Sequence, residues 1–305
     1  MSTADDRFLA IDGGQTAVKV SHAGRRLSFP GLRTNTEIMP QLAEVVSAVI
    51  PAPGPSDWTV AVGTTGLTRA EGDPRILLEL CRARGVGRVI LAHDSVTSFL
   101  GAVGFRRGVV VASGTGVVTF GVGADSVARV DGWGNLMGDV GSGFWIGRSG
   151  LEAVMRAYDG RGPATAITEL ATERWPDLSQ AYIELQGNPG HVRLVASFAK
   201  GIACLAETDE VAAAICRRAG EELALSARTA VSRIGEAASP RPVVCLVGGV
   251  FRSRHVRESC IAGLRREWPR FEPFEAAGDG LVGAEALASL PADSPLSSSV
   301  AVAAV

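Results

Sequence analysis

Three short glycine-rich turns carry the residue types from which a phosphate site can be built. They are the turns Asp12-Gly-Gly-Gln-Thr16, Ser113-Gly-Thr-Gly116 and Val247-Gly-Gly-Val250. Because glycine has no Cβ, such turns let backbone N–H groups approach a phosphate closely, and threonine adds a hydroxyl donor. A single turn of this kind is a weak signal. Three of them, each at the end of an apolar run, favour a bound nucleotide.

A fourth stretch, Asp131-Gly-Trp-Gly-Asn-Leu-Met-Gly-Asp-Val-Gly-Ser-Gly143, combines glycines with two aspartates and a tryptophan. The apolar spacing that follows predicts a helix that begins near Ser142. A tight loop with a carboxylate and an aromatic ring beside a helix N-terminus suits a polar, partly flat ligand. An ordinary turn between a strand and a helix explains the same residues about as well, so this stretch alone leaves both interpretations open.

Two roles compete for the carboxylate of Asp94. It lies in His93-Asp94-Ser95, after the apolar run 88–92 and before a helical pattern. A carboxylate at a strand end can accept the proton of an attacking hydroxyl group, whereas an aspartate before a helix can serve as its N-cap. Position alone favours the cap, although Ser95 offers a second residue for that task.

The elements that must position these turns occur in the same order twice. Apolar periodicity predicts strands at 8–11, 18–22, 26–29, 58–62, 88–92, 108–112, 117–122, 126–130, 242–247 and 271–274. With the helices between them they give β-β-β-α-β-α-β-α two times, which predicts an α/β fold of two related domains with a cleft between them. Ligands of such sheets bind at the carboxyl ends of strands, where the turns lie.

The predicted domains are 1–105 and 106–290, the second with a helical insertion at about 160–236. Residues 291–305 are rich in serine and alanine and offer little to bury, so we expect a disordered tail.

Composition limits the class of protein. The 305 residues are 46% hydrophobic and carry a net charge of -2, which indicates a globular chain without the basic footprint of a nucleic-acid-binding protein. No charge-free apolar stretch reaches the ~18 residues of a membrane span, and Met1 to Arg7 is unlike a secretory signal. Five scattered cysteines favour a reducing compartment. We therefore expect a cytoplasmic protein with neither a nucleic-acid nor a membrane partner.

The ordered motifs resemble the actin/hexokinase/heat-shock-70 ATPase superfamily and, within it, the N-acetylglucosamine kinases of the BadF/BadG/BcrA/BcrD ATPase family. The resemblance spans residues 8–290, and Gly132-Trp-Gly-Asn-Leu-Met-Gly-Asp139 is its most specific part. It implies two duplicated ribonuclease-H-like domains, ATP and Mg²⁺ as cofactors, and an amino sugar phosphorylated on its 6-hydroxyl. Family members are often dimers, which leaves a homodimer open.

The resemblance also implies roles for single residues. Asp94 falls on the catalytic base, and Thr34-Asn35 is similar to a sugar-contacting pair. The implied sugar contacts are Asn35, Asp94, Trp133, Gly134 and Asp139. The implied nucleotide contacts are Gly13, Gly14, Gln15, Thr16, Ser113, Gly114, Thr115, Gly116, Gly248 and Gly249.

Two side chains are assigned on chemistry as well as on resemblance. Mg²⁺ takes one or two carboxylates with phosphate oxygens and water, and Asp12 is the residue expected to hold it, through water. Trp133 can stack on a sugar face or pack at a hinge, and both interpretations stay open.

Lys19, on the second predicted strand, is expected to face solvent.

Three residues depart from the family pattern. Gln15 stands where a small residue is usual, His93 where a small or hydroxylated residue is common, and Val140 where an acid is usual. The departures at His93 and Val140 leave open whether N-acetylglucosamine, glucosamine or N-acetylmuramic acid is preferred, and Gln15, which crowds the first turn, leaves a sugar sensor open. Two other functions are compatible with the fold: an ATPase that activates a CoA-ester enzyme through an iron–sulfur cluster, and a sugar sensor without kinase activity. The lack of cysteine in residues 105–150 counts against the former.

Overall fold

The computed structural model describes residues 6–51, 57–67 and 72–305, so most of the polar N-terminal stretch lies outside these ranges. Packing divides the chain into two compact units. The first holds the described part of Met1–Arg107 with Val122–Val127 and Glu275–Val305, and the second holds Gly108–Gly121 and Ala128–Phe274. These bounds differ from the predicted 1–105 and 106–290, because a hairpin end and the segment from Glu275 onward group with the first unit.

A six-stranded sheet forms the framework of the first unit. Its strands are β1 (Phe8–Gly13), β2 (Ala17–His22), β3 (Arg25–Pro30), β4 (Trp58–Thr64), β5 (Val86–His93) and β10 (Val300–Ala304), in the order β10-β5-β4-β1-β2-β3. Strand β4 runs parallel to both β1 and β5, so the carboxyl ends of these three strands meet at one edge. The helices of this unit are α1 (Ile38–Val49), α2 (Pro74–Cys81), α3 (Asp94–Val103) and α10 (Gly280–Ala286).

Residues 291–305 correct the expectation of a disordered tail. Strand β10 pairs antiparallel with β5, from Val300 opposite Ala92 to Ala304 opposite Arg88. Leu296, just before it, is 1% exposed. The serine- and alanine-rich composition hid a short strand whose backbone satisfies the N–H and C=O groups along the edge of β5. Its stability comes from that distant partner, which composition alone does not reveal.

The second unit contains a four-stranded sheet in the order β8-β7-β6-β9. Its strands are β6 (Gly108–Ser113), β7 (Val117–Val122), β8 (Val127–Val130) and β9 (Val244–Val247). Strand β6 runs parallel to β9. The strand predicted at 271–274 is absent, and Phe274 makes a single bridge to Cys245. Pro273 lies inside that segment and has no N–H to donate to a ladder.

Six helices complete the second unit as the structure describes it: α4 (Gly143–Tyr158), α5 (Ile167–Arg174), α6 (Ala181–Gly187), α7 (His191–Leu205), α8 (Glu210–Arg233) and α9 (Arg254–Arg265). Helices α5 to α8 form the helical insertion that the sequence predicts. The α/β class and the arrangement in two units are thereby confirmed. Within the described ranges, no helix has both the length and the apolar character needed to cross a bilayer.

Candidate active site

Three aspartates of the first unit lie at the ends of neighbouring elements. Asp12 is near the carboxyl end of β1, Asp94 is the first residue of α3 after β5, and Asp279 is the N-cap of α10. The Nζ atom of Lys19 lies 2.9 Å from Asp279 Oδ2 and 3.9 Å from Asp12 Oδ2. The Lys19 side chain is 48% exposed, as expected of a residue that faces solvent, and its ammonium group also reaches these two carboxylates. The alternation of β2 turns its ammonium group toward the carboxylates.

The carboxylate of Asp12 is electrostatically unusual. Burial raises its pKa to about 6; the charge of Lys19 opposes that shift, and Asp279 and Asp94 add to it. No described residue donates a hydrogen bond to this carboxylate, and its side chain is only 20% exposed. A mostly buried carboxylate without donors fits a cation, as predicted for Mg²⁺. Within the described residues no three His, Cys, Asp or Glu side chains form a metal-ligand group, so water and phosphate would have to complete the shell.

Asp94 is not the cap of the helix that it begins. His93 is the N-cap of α3, and its Nδ1 accepts a hydrogen bond from the Ser95 N–H at 3.2 Å. Ser95, the alternative cap from sequence, is not the cap either. The same Nδ1 lies 2.8 Å from Asp94 Oδ1. One ring nitrogen cannot accept from Ser95 and donate to Asp94 at once, so the tautomer of His93 decides which contact forms. The Asp94 side chain is 33% exposed and does not cap α3.

The first glycine-rich turn lies beside the Thr34-Asn35 loop. Gln15 Nε2 approaches Thr34 Oγ1 at 3.4 Å, so the long side chain at this position contacts a neighbouring loop. The Gly14 N–H donates to the Ala17 carbonyl, and the Gly13 carbonyl accepts from Thr65 N–H. Thr16 is exposed. Asn35 is exposed too, and no residue of the described chain hydrogen-bonds its side chain.

The second glycine-rich turn is fixed to the start of helix α4. Gly143 N–H donates to the Gly114 carbonyl at 2.7 Å, and Phe144 N–H donates to the Thr115 carbonyl at 3.0 Å. The buried Ser113 hydroxyl donates to the Gly141 carbonyl at 3.1 Å. Thr115 is exposed, so its hydroxyl is the better placed of the two to meet a ligand.

Asp139 lies against this second turn. Its carboxylate accepts hydrogen bonds from the N–H groups of Gly134, at 3.2 Å, and Val117. A Cβ at Gly116 would come within 2.7 Å of Asp139 Oδ2, so a larger residue there would displace the carboxylate. Burial raises the pKa of Asp139, and the nearby charge of Asp131 adds to the effect.

Trp133 projects from the same loop as Asp139. Its side chain is 57% exposed, and the guanidinium carbon of Arg129 lies 4.9 Å from the centre of its ring. One face of the indole is thereby covered by a cation. Stacking on a sugar is therefore open only to the other face.

The third turn packs on the second. Gly248 has a φ of 106°, and a Cβ at this position would collide with the Ser113 carbonyl oxygen. Gly249 is exposed, with open space where a Cβ would lie. Within the second unit the structure thus brings together the turn at 113–116, the loop at 131–141 and Gly248-Gly249.

Four residues that touch these groups were not predicted as site residues: Lys19, Asp279, Arg129 and Asp131. Asp279 precedes an apolar helical pattern and accepts from the Val282 N–H, so the N-cap rule could have found the helix start. The Lys19–Asp279 pair joins positions 260 residues apart, and local patterns carry no signal for it.

Comparison with known proteins sets these two groups of residues in context. The profile of the BadF/BadG/BcrA/BcrD ATPase family matches residues 9–288. A protein of Clostridium acetobutylicum named N-acetylmuramic acid/N-acetylglucosamine kinase is 28% identical over 243 residues, which are 77% of this chain and 78% of that protein. The N-acetyl-D-glucosamine kinase of Dictyostelium discoideum is 31% identical over 121 residues, 38% of this chain and 37% of its own length.

Solved structures share the fold. A candidate N-acetylglucosamine kinase from Chromobacterium violaceum has a TM-score of 0.73 at 24% identity, covering 92% of this chain and 98% of that one. A ROK family glucokinase from Streptomyces griseus has a TM-score of 0.51 at 15% identity, covering 91% and 97%. Identities this low show the fold alone. Because the family profile spans nearly the whole chain, the protein belongs to the BadF/BadG/BcrA/BcrD ATPase family.

Proposed function

We propose that this protein is an ATP-dependent amino-sugar kinase that phosphorylates the 6-hydroxyl of N-acetylglucosamine or a close relative. The observation that carries the proposal is the state of Asp94, an accessible carboxylate at the end of β5 that caps no helix. Both curated relatives are named as kinases of N-acetylglucosamine, and one also of N-acetylmuramic acid. The family membership supports ATP as the phosphoryl donor.

Asp94 is the general base in this proposal. The sugar O–H donates its proton to the carboxylate as the oxygen forms a bond to the γ-phosphorus and the bond to the leaving ADP oxygen breaks. His93 Nδ1, at 2.8 Å from Asp94 Oδ1, can orient the carboxylate when that nitrogen carries a proton. Phosphoryl transfer depends mainly on positioning and charge neutralisation, so one correctly placed base is enough.

Asp12 would hold Mg²⁺, which when bound neutralises charge on the transferring phosphate. Its carboxylate lacks hydrogen-bond donors among the described residues, and Lys19 supplies a second positive charge nearby. With Mg²⁺ held by Asp12, the ion and the Lys19 ammonium group would together suit a strongly anionic ligand such as the phosphates of ATP. The proposed nucleotide contacts are N–H groups and hydroxyls at Gly13, Gln15, Thr16, Thr115 and Gly249. Gly14, Ser113, Gly114, Gly116 and Gly248 shape the turns, since the Gly114 N–H already donates to the Gly116 carbonyl at 2.8 Å.

The proposed sugar contacts are Asn35, Asp94, Trp133, Gly134 and Asp139. The Asn35 amide makes no hydrogen bond to any described residue, and it can bond two neighbouring hydroxyls. Asp139 already accepts from Gly134 and Val117, but its two oxygens retain capacity for a sugar hydroxyl. The exposed face of Trp133 offers apolar area to a sugar ring.

The same proposal includes a homodimer in a reducing, cytoplasmic setting. Four of the five cysteines are buried and all are free thiols. The prediction of a dimer is checked by light scattering.

The test is sugar-dependent release of ADP. Purified protein with ATP and Mg²⁺ is assayed with N-acetylglucosamine, glucosamine, N-acetylmuramic acid, N-acetylmannosamine, glucose or no sugar. We expect turnover with one or two amino sugars and a loss of about 10²-fold or more in Asp94→Asn. Asp293→Asn, which changes an exposed carboxylate in the same unit, is the matched control.

Two outcomes would overturn the proposal. ADP release independent of any sugar would favour the ATPase that activates another enzyme. Sugar binding without ADP release would favour a sensor.

A further inference from the structure

Asp131 holds together the two ends of the loop that carries Trp133 and Asp139. Its Oδ1 accepts hydrogen bonds from the N–H groups of Gly132 at 2.7 Å and Asp139 at 2.8 Å. Its Oδ2 accepts from the Val140 N–H at 3.0 Å. One carboxylate therefore satisfies three backbone donors, two of which lie eight and nine residues further along the chain.

The backbone by itself does not favour this arrangement. Asp131 and Asp139 both have a φ of 58°, in the left-handed region that is strained for residues with a Cβ, although aspartate tolerates it better than most. A Cβ at Gly138 would collide with Asp131 Oδ1, so the chain passes very close to the carboxylate. The three hydrogen bonds offset that strain, since hydrogen bonds to a charged acceptor are stronger than neutral ones.

Arg129 holds the same loop by donating hydrogen bonds to the loop's carbonyl groups. Its Nη2 donates to the Gly132 carbonyl, its Nε approaches the Asp131 carbonyl at 3.4 Å, and its guanidinium covers one face of Trp133. The carboxylate of Asp131 accepts hydrogen bonds from N–H groups of the loop, and the guanidinium of Arg129 donates hydrogen bonds to its carbonyl groups. The loop thus has a fixed shape before any ligand arrives.

We propose that Asp131 is a positioning residue for the sugar: it sets the place of Asp139 and Trp133 without touching the reacting atoms. This inference rests on the function proposed above. Asp139 N–H is one of the three donors, so the hydrogen bond fixes the backbone from which the Asp139 side chain extends. Losing it lets Asp139 leave its contacts with Gly134 and Val117.

Graded substitutions separate this role from a general structural one. Asp131→Asn can keep a carbonyl oxygen at the Oδ1 position, where it accepts from Gly132 and Asp139, but its NH₂ group cannot accept from Val140. Asp131→Gly removes all three hydrogen bonds and relieves the strain of positive φ, so the backbone can still adopt the native conformation. Asp125→Asn, on the exposed turn after β7, removes the same charge without touching the loop and is the control.

The experiment is steady-state kinetics of the three variants on the sugar that the wild-type protein phosphorylates best. We expect the KM for sugar to rise about 10-fold in Asp131→Asn and about 100-fold in Asp131→Gly, with the KM for ATP changed by less than about 3-fold. Asp125→Asn should match the wild type. A merely structural role would instead lower the active fraction, which reduces kcat and leaves the KM for sugar unchanged. That pattern, or a wild-type KM for sugar in Asp131→Gly, would overturn the inference.

Amide hydrogen exchange of the full-length protein gives a readout that does not depend on activity. We expect faster exchange in residues 131–140 of Asp131→Gly, intermediate exchange in Asp131→Asn, and wild-type exchange elsewhere. If the wild type phosphorylates no sugar, the proposed function fails, and exchange alone then decides whether Asp131 holds the loop. Unchanged exchange in Asp131→Gly would overturn the inference even if the kinase activity is real.

Discussion

The two groups of candidate site residues are built in different ways. In the first unit, the buried carboxylate of Asp12 is only partly compensated by the charge of Lys19, 3.9 Å away, whereas Asp279 is paired with Lys19 and caps α10. In the second unit, backbone groups of the turn at 113–116 and of the loop at 131–141 are already hydrogen-bonded, to the start of α4 and to the side chains of Ser113 and Asp131.

This difference teaches where each kind of substitution should act. An uncompensated charge is costly to the folded protein and useful to a charged ligand, so a change at Asp12 should lower activity and spare or improve stability. Satisfied backbone networks define a shape, so changes in the second group should affect stability as well.

The largest effect is expected for Asp12→Asn, which tests the first half of that comparison. Activity should fall by about 10²-fold or more, because the charge facing the cation is lost. Stability at pH 7 should rise, by at most about 3 kcal/mol, since a pKa raised from 3.8 to about 6 means that ionised Asp12 is penalised in the folded state. Asp293→Asn is the control for loss of a carboxylate.

The sign of that stability effect can be checked against pH. Between about pH 4 and 6 the folded protein binds more protons at Asp12 than the unfolded chain does, so its free energy of unfolding falls as pH rises. Urea unfolding at pH 4, 5, 6 and 7 should therefore show a smaller advantage of Asp12→Asn at pH 4 than at pH 7. An equal advantage at every pH would contradict the assignment.

The next largest effect is expected for Gly248→Ala, which tests the second half. A Cβ would collide with the Ser113 carbonyl at a φ of 106°, so we expect a loss of about 2 kcal/mol or more of unfolding free energy. Gly249→Ala is the matched control, because open space lies where its Cβ would be. Equal melting temperatures for the two variants would show that this turn is less constrained than its contacts indicate.

A smaller effect is expected for Lys19→Met. The charge of Lys19 lowers the pKa of Asp12, so its removal should raise that pKa further above about 6. Because the ionised carboxylate is the form that holds a cation, the acid limb of the kcat/KM profile should move to higher pH. An acid limb that does not move would show that the charge of Lys19 has no effect on the pKa of Asp12.

The smallest effect is expected for Trp133→Ala. The side chain is 57% exposed and touches Arg129 on one face, so stability should change by less than about 1 kcal/mol. The KM for sugar should rise by about 3- to 10-fold if the free face stacks on the ring. Trp133→Phe, which keeps an aromatic face, should restore most of the affinity, whereas a wild-type KM in Trp133→Ala would favour the packing role.

Much of the fold could be predicted because its strands are short apolar runs closed by glycine turns. Strands such as β1, β4 and β6 are buried and follow that pattern. The strand expected at 271–274 was wrong because Pro273 interrupts the ladder, and β10 was missed because its partner β5 lies some two hundred residues earlier. Both errors concern pairing, which depends on distant residues.

The residues of the candidate site were predictable to the extent that they lie in motifs. The sequence indicates the three turns and the loop, but not that Asp131 binds the N–H groups of Asp139 and Val140. A side chain that bonds backbone donors eight residues away has no periodic signature. The same holds for Lys19 and Asp279, whose ion pair forms only after the unit folds.

The first unit is discontinuous along the chain, and this has a consequence for biosynthesis. Strand β10 and helix α10, with Asp279 at its start, are encoded after the whole of the second unit. On the ribosome, the edge of β5 beside Asp94 therefore stays open, and Lys19 lacks its nearer partner Asp279, while the second unit is being made. A nascent chain interrupted anywhere in the second unit carries an unfinished first sheet. The carboxylates around Asp12 are therefore complete only in chains that translation has carried past helix α10, and the sheet only in chains that include β10.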